Sequence, residues 1–385
     1  MVVLNQIEKG TYWRAFQFAK HLSIRGNKVT LIATSPTSRV RLTEHQINGI
    51  SIIEAPDMLP GMLRSGWDPL ATIRRIIWLD EKKFDIVHSF ESRPVVIYPA
   101  LKAKQNGAFL IMDWCDYLGR GGSVEVRTNV FIKTFLRPFE TYYENRFRKV
   151  AAGTTVINSF LQQKAISMGV QLDTTKIIYN GCTTHFKVLD KNTSRELLRL
   201  PTDETIIGFV GGLHEGDTRF MAQAFNNVLI NNRKSKLLLV GNFNRNIEKY
   251  ISKPQAVIRT GTIEHDDIYG FLSACDVCWL PLQDNDTNRG RLPLKLNNYM
   301  SAGRPTISTK VGDLEKIINE NKLGIVTSCN PVQFAEETIN LLSDKQKLEY
   351  LGISARQAAE TLFSWETMTI SLESFYQSIV SIRNS

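Results

Sequence analysis

At 385 residues the chain is too long for one ordinary core and suits two domains of similar size. A composition of 43% hydrophobic and 22% charged residues excludes a disordered chain, and no apolar run approaches the roughly 20 residues that span a bilayer. Five cysteines, at positions 115, 182, 275, 278 and 329, form no disulfide framework, and no basic-then-apolar leader opens the chain, so a cytoplasmic protein is the expectation.

The formal charge of +9 is lopsided: residues 1–150 hold 22 Lys and Arg against 14 Asp and Glu. A basic half beside a near-neutral one points to an anionic partner surface. No finger, RRM or other nucleic-acid signature accompanies the charge. Residues 58–83, MLPGMLRSGWDPLATIRRIIWLDEKK, mix Met, Leu, Ile and two Trp with basic side chains. They read either as a peripheral contact with an anionic membrane, at the inner face of the plasma membrane, or as a surface helix with a solvated basic face.

Taken in chain order, MVVLN, KVTLIA, FDIVHSF, AFLIMDW and GTTVI are predicted strands of a first sheet. Between the first two, Ala15, Phe18, Ala19 and Leu22 recur at helical spacing, and Arg25-Gly26 closes the helix. A second set follows: TIIGFVGG, KLLLVG, AVIRTG, VCWLPL, PTIST and GIVTS, with helices such as Arg219 to Ile230 and Asp266 to Ala274 between them. Strands alternating with helices predict an α/β protein of two doubly wound, Rossmann-like domains whose strand carboxyl ends face a central cleft. The polar segment 182–204 carries the boundary. The domains are expected at 1–185 and 186–364, with residues 365–385 forming a helix that returns to the first domain. MVVLNQ is short for a first strand, which leaves room for a few residues ahead of Met1.

Several loops past strand ends carry candidate chemistry. Lys9-Gly10-Thr11-Tyr12-Trp13-Arg14 opens a helix, whose free N–H groups suit an anion or a hydroxyl, although many strand-to-helix turns need a glycine for geometry alone. Gly211-Gly212 lets backbone approach a ligand closely; neither a G-x-G-x-x-G fingerprint nor a Walker motif is present. The stretch RLPLKLNNYMSAGRP starts a helix at about Pro293 that runs to Met300. Its amides, with Lys295, Arg289 and Arg291 close by, suit a diphosphate, and Asn298 could offer an amide to a ribose hydroxyl; the alternative is a solvated lysine on an ordinary helix.

In the first domain, Asp113-Trp114-Cys115-Asp116-Tyr117-Leu118-Gly119-Arg120-Gly121-Gly122-Ser123 sets carboxylates, aromatic rings and a glycine-rich turn just past a strand. Rings stack on sugar faces and carboxylates grip hydroxyls, so this reads as a sugar or acceptor loop, or else as a turn capped by Asp. His88 ends FDIVH at another strand tip. Cys275-x-x-Cys278 has a zinc or redox spacing, but no second pair completes a site, and two small core residues are the expected reading.

The order K-G-x-x-x-R-A-x-x-x-A-x-x-L-x-x-R-G-x-x-V-T-L, D-I-V-H, F-V-G-G-L, L-L-V-G, T-G-x-I, D-V-x-W-L-P-L, Y-M-x-A-G-R-P and V-G-D-L-E resembles family four of the retaining glycosyltransferases, which have the GT-B fold. The similarity covers nearly the whole chain and is most specific from Thr260 to Glu315. The D-W-x-D-x-x-G-R-G-G loop is similar to that of a bacterial and archaeal subgroup.

The resemblance implies transfer of a sugar from a nucleoside-diphosphate donor, a UDP- or GDP-sugar, to a glycan or lipid-linked acceptor, with the anomeric configuration kept. It implies synthesis of a cell-surface polysaccharide or glycolipid, a donor held mainly by the second domain, an acceptor held mainly by the first, and no metal or other cofactor. By motif, His88 would lie near the transferred sugar and Gly10 near the donor phosphate or acceptor. Pro293, Leu294, Lys295 and Leu296 would lie along the phosphates, and Glu315 would end the V-G-x-x-E turn. Trp13, Arg14, Asp113, Trp114, Asp116, Arg120 and Gly121 would face the acceptor.

The chain departs from the family at two places. Gly290 and Asn298 stand where E-x7-E is usual, and a neutral amide holds a ribose hydroxyl less firmly than a carboxylate. Gly212 replaces the Arg of V-G-R, and Asp217 stands near the Lys that follows it. Lys295, Arg219, Arg289 or Arg291 would then have to supply the charge at the leaving diphosphate, as in family variants with P-x-K-x-x-N at this helix. The competing function is a sugar-nucleotide-binding subunit of a glycan-synthesis complex that lost turnover. An epimerase or phosphorylase of the same fold lacks its marker residues here.

Overall fold

The computed structural model describes residues 1–59, 66–127, 129–212, 215–243, 245–264 and 266–384. The chain divides into two units, Met1–Asn180 with Trp365–Ser385, and Gly181–Ser364. The first holds, among the described residues, a sheet of eight strands: β1 Val2–Gln6, β2 Thr30–Thr34, β3 Thr43–Ile47, β4 Ile50–Ala55, β5 Ile86–Phe90, β6 Phe109–Trp114, β7 Gly153–Val156 and β8 Thr175–Ile177. Their order is β3-β4-β2-β1-β5-β6-β7-β8, parallel throughout except for β3 against β4. Chain order reverses between β1 and β5, which makes the carboxyl ends of these two strands the switch point where such sheets bind ligands.

The five strands expected from apolar runs are β1, β2, β5, β6 and β7. Three strands were not expected: β4, ISIIEA, is an apolar and mostly buried run absent from the expected set, β3 is the polar edge strand TEHQI, exposed along most of its length, and β8 is three residues long. An edge strand facing water needs no apolar run.

Helix Trp365–Asn384 belongs to the first unit and lies on helix Tyr12–Ile24. Trp365 meets Phe18 edge to face at 5.3 Å, and Met368, Leu372, Phe375 and Ile379 enter the same core cluster as Val3, Leu31 and Ile111. Leu372 is fully buried.

The second unit holds β9 Thr205–Val210, β10 Ser235–Val240, β11 Val257–Arg259, β12 Val277–Leu280, β13 Thr306–Thr309 and β14 Gly324–Thr327. Among the described residues these form one parallel sheet in the order β11-β10-β9-β12-β13-β14, and each falls on an expected apolar run. Its switch point is between β9 and β12. Cys275 and Cys278 are buried free thiols packed on Gly208 of β9, the core role expected of them.

Replacing Leu372 by Ala is expected to cost about 2–5 kcal/mol in chemical denaturation, because the cavity would open inside the first unit's core rather than at a frayed terminus.

Candidate functional site

In the second unit the loops after β9 and β12 flank the switch point. Gly211 follows β9 with φ +77°, and a Cβ there would stand 3.2 Å from the Lys295 Nζ, so glycine clears the way for that ammonium. The Nζ donates to the Gly212 carbonyl at 3.5 Å and lies 4.8 Å from the centre of the Phe209 ring. Lys295 is the second residue of helix Leu294–Ser301, whose N-cap is Pro293. Its amide and that of Leu294 precede any helical carbonyl they could bond, leaving two donors aimed off the helix tip.

Burial, and then the nearby Arg291 charge, bring the Lys295 pKa down to about 8, against the pull of Asp217. Arg291 donates through Nη2 to Asn288 Oδ1 at 2.5 Å, while its buried Nε has no partner among the described residues. Two like charges are therefore held together half-buried beside two free amides. That arrangement is costly when empty and favourable around an anion.

The other cations expected here are committed elsewhere. Arg289 is bound through Nε and Nη2 to both carboxylate oxygens of Asp284, each at 2.7 Å, and brings no net charge. Arg219 is exposed and lies over the Tyr250 ring, 5.4 Å from its centre. Glu315 pairs with Lys310 at 2.9 Å, and the turn before it packs Gly312 on the backbone of Arg289. Asn298 is half-buried on the second turn of the helix, Leu294 is exposed, and Leu296 is sealed in the core.

The first unit requires more correction. His88 does not stand at a strand tip: it is inside the sheet, buried, with Nδ1 2.6 Å from the Tyr376 hydroxyl and Nε2 3.2 Å from Thr155 Oγ1. Thr155 donates to Asp113 at 2.6 Å, so its oxygen must accept from His88 Nε2–H, and Nδ1 in turn accepts the Tyr376 proton. The ring is neutral; burial holds its pKa down to about 3. With both nitrogens engaged, His88 is a structural residue.

Asp113 and Arg14 end the same chain. Arg14 Nε and Nη2 grip the carboxylate at 3.0 and 2.9 Å, and the remaining donors reach the Ile178 and Tyr179 carbonyls and Asn180 Oδ1. Burial alone would raise the Asp113 pKa, but Arg14 keeps it below its usual value. Neither residue is available to an acceptor. Trp114 is fully buried, donating from Nε1 to Glu144 at 2.9 Å, with the Arg148 guanidinium 3.7 Å from its ring centre, so it offers no face to a sugar.

At Gly10, with φ +53°, a Cβ would fall 2.6 Å from Asn5 Nδ2. The amides of Thr11, Tyr12 and Trp13 already bond Asn5 Oδ1, Lys9 O and Gly10 O, so this helix tip has little left for a phosphate. Gly121 turns with φ +89° inside the loop, and Arg120 stands exposed. Asp116 is exposed, and so is Trp13, whose Nε1 donates to Glu8 O at 2.9 Å.

One residue escaped the sequence reading. Glu91 follows β5 at the first unit's switch point, with φ +76°, buried, and accepting from Cys115 Sγ at 3.3 Å. Burial, then the Asp116 charge, push its pKa up to about 8. The signal present was an acidic residue directly after a predicted strand, overshadowed by the histidine before it. Glu91, Cys115 and Asp116 bring one ligand atom each within 4.8 Å. A cation there would have to displace protons from a carboxyl and from a thiol whose pKa burial raises well above normal, with Arg93 and Arg148 already nearby. The set is poorly suited to a metal.

Residues 58–83, expected at a membrane, include 60–65, which lie outside the described residues. Within the remainder, Pro69–Asp80 forms a helix with Leu70, Ile73 and Ile77 exposed. No helix among the described residues is long and apolar enough to cross a membrane.

Residues 10–186 match the family model described as "Glycosyltransferase Family 4", and residues 204–344 match "Glycosyl transferases group 1". Spore coat protein SA of Bacillus subtilis is 38% identical over 89 residues, which is 22% of this chain and 24% of that protein. Among solved structures, sucrose-phosphate synthase from Thermosynechococcus elongatus matches with a TM-score of 0.73 and 16% identity, covering 99% of this chain and 98% of that one. HepE from Anabaena, in complex with UDP-glucose, matches with a TM-score of 0.70 and 17% identity, covering 99% of each. These structures establish the GT-B fold, and the two family matches support glycosyl transfer as the activity.

Because the folded-state pKa of Glu91 lies above its ordinary 4.5, the stability tied to its proton is present below that value and is lost as pH rises toward about 8. Glu91→Gln is expected to raise the denaturation midpoint over the wild type at pH 8, with the gap closing near pH 4.5.

Proposed function

We propose that this chain transfers a sugar from a nucleoside-diphosphate donor to a hydroxyl of a glycan or lipid-linked acceptor, with retention, in the making of a cell-surface glycan. The observation that carries this reading is the half-buried Lys295 with Arg291 beside it, at the tip of helix Leu294–Ser301 and against the Gly211–Gly212 backbone. The donor pyrophosphate would lie there. Lys295, Arg291 and the amides of Leu294 and Lys295 would carry the charge that grows on it as the anomeric C–O bond breaks. The acceptor oxygen forms the new bond from the face the diphosphate leaves, and its proton passes to the departing diphosphate. A UDP-sugar is the first donor to test, since HepE is a structural neighbour in complex with UDP-glucose. On the acceptor side, Trp13 and Asp116 keep exposed surface beyond β1 and β6.

A second reading, a sugar-nucleotide-binding subunit without turnover, is favoured by the neutral Asn298 and by Gly212 in place of the usual clamp. Binding of UDP-sugars with neither hydrolysis nor transfer to any acceptor extract would support it.

Lys295→Ala is expected to weaken UDP binding by at least about tenfold, the loss of one charge-assisted contact; unchanged affinity in titration calorimetry would remove Lys295 from the site. His88→Gln, which can keep both hydrogen bonds, is expected to retain kcat within about threefold. A loss of several orders of magnitude would return His88 to the reacting centre. Since Lys295 loses its charge above pH of about 8, the donor KM should rise beyond that pH in the wild type and stay flat in Lys295→Arg.

A further inference from the structure

Helix Val130–Arg146 in the first unit is amphipathic in an unusual sense. Its two acids are both buried: Glu140 binds Arg93 at 2.7 and 3.1 Å, and Glu144 accepts from Trp114 and from the Leu118 and Gly119 amides. The water-facing side therefore has no negative charge of its own. It carries Phe131 at 89% exposure, Phe135 at 67%, Phe139 at 45% and Tyr142 at 53%, spaced by about one turn along one stripe. Val130 and Ile132 are exposed beside them. Four ordered aromatic side chains in water over more than three turns exceed the scattered apolar residues of an ordinary surface.

A groove of about 510 Å³ meets the stripe at Tyr142, on the C-terminal half of the helix, with Arg120, Arg137 and Arg146 in its lining. Arg137 is tied to Glu125 at 2.7 Å, while Arg120 and Arg146 stand exposed. At the far end, Trp67 packs edge-on to Phe139 and Tyr143, at 6.4 and 5.3 Å, and leads into helix Pro69–Asp80 with its exposed Leu70, Ile73 and Ile77.

We infer that this face docks on an anionic phospholipid bilayer, the Phe131–Phe135–Phe139 stripe entering the acyl boundary and Arg120 and Arg146 meeting lipid phosphates. Apolar side chains stand here beside an excess of cations, the nearby carboxylate of Glu125 being already taken by Lys133 and Arg137, and this matches the headgroup boundary in both chemistry and charge. A protein partner would more often meet a face with acids as well as bases at its rim. The inference is independent of the donor site: it concerns where the first unit sits and leaves the phosphate chemistry of the second untouched.

The test is flotation of the full chain with vesicles of phosphatidylcholine alone and of phosphatidylcholine with phosphatidylglycerol. The wild type is expected to float with the anionic vesicles, less so as salt rises, and poorly with the neutral ones. The double substitution Phe131→Ser with Phe135→Ser should lower partition at least about tenfold, from the lost apolar burial. Arg120→Gln with Arg146→Gln should remove the preference for anionic vesicles. Unchanged thermal melting and UDP binding would show that both variants are folded. A wild type that does not float with anionic vesicles, or serine variants that float equally well, would overturn the inference. So would a concentration-dependent dimer in sedimentation velocity that the serine variants abolish while flotation is unchanged, since a second copy would then cover the stripe.

Discussion

Two like positive charges held partly out of water, with Asp217 as a partial counterweight, are the constraint on which the proposed donor site rests. Lys295 and Arg291 repel one another across a half-buried space that also collects two uncapped helix amides. A folded protein tolerates such crowding where a ligand relieves it, because each like charge raises the cost of the other and an anion lowers both at once. Its location gives the charge its meaning. The switch point between β9 and β12 is where a parallel sheet leaves a crevice at its carboxyl edge, and the loops that must diverge there bring Gly211, Gly212 and Pro293 together.

The first unit shows the opposite solution to burying charge. Arg14 and Asp113 meet in a two-point grip, the arginine's remaining donors close on three oxygens at residues 178–180, and Thr155, His88 and Tyr376 pass a one-way series of hydrogen bonds to the carboxylate. Every side-chain donor of that chain is used, which makes it a specification of fold, linking helix Tyr12–Ile24, β5, β6, β7 and the last helix. A network so complete has nothing left for a substrate. The contrast is between a closed ion pair in the first unit and two crowded like charges, Lys295 and Arg291, in the second.

Much of the fold was legible because parallel strands buried on both faces read as apolar runs, as β9, β10 and β12 of the second unit do. What was hidden depended on distant partners. That Asp113 and Trp114 face inward is decided by Arg14, 99 residues earlier, and Glu144, 30 residues later, and no local pattern encodes those meetings. His88 looked like a strand-tip residue because the end of β5 is set by its ladder with β6, two residues further on at Phe90. Glu91 was missed for a related reason: its left-handed backbone turns the side chain into the core, where burial keeps its proton. The surroundings of Lys295, at a proline-started helix tip beside glycines that follow a strand, were legible because these are local signals that agree.

Calorimetry of UDP binding at pH 8, in buffers of differing ionisation enthalpy, tests the account most directly. An ammonium whose pKa burial has lowered to about 8 must regain its proton when a pyrophosphate arrives, so binding should take up a substantial fraction of one proton, and Lys295→Arg should take up none. Binding of UDP without proton uptake in the wild type, or with equal uptake in the variant, would contradict it.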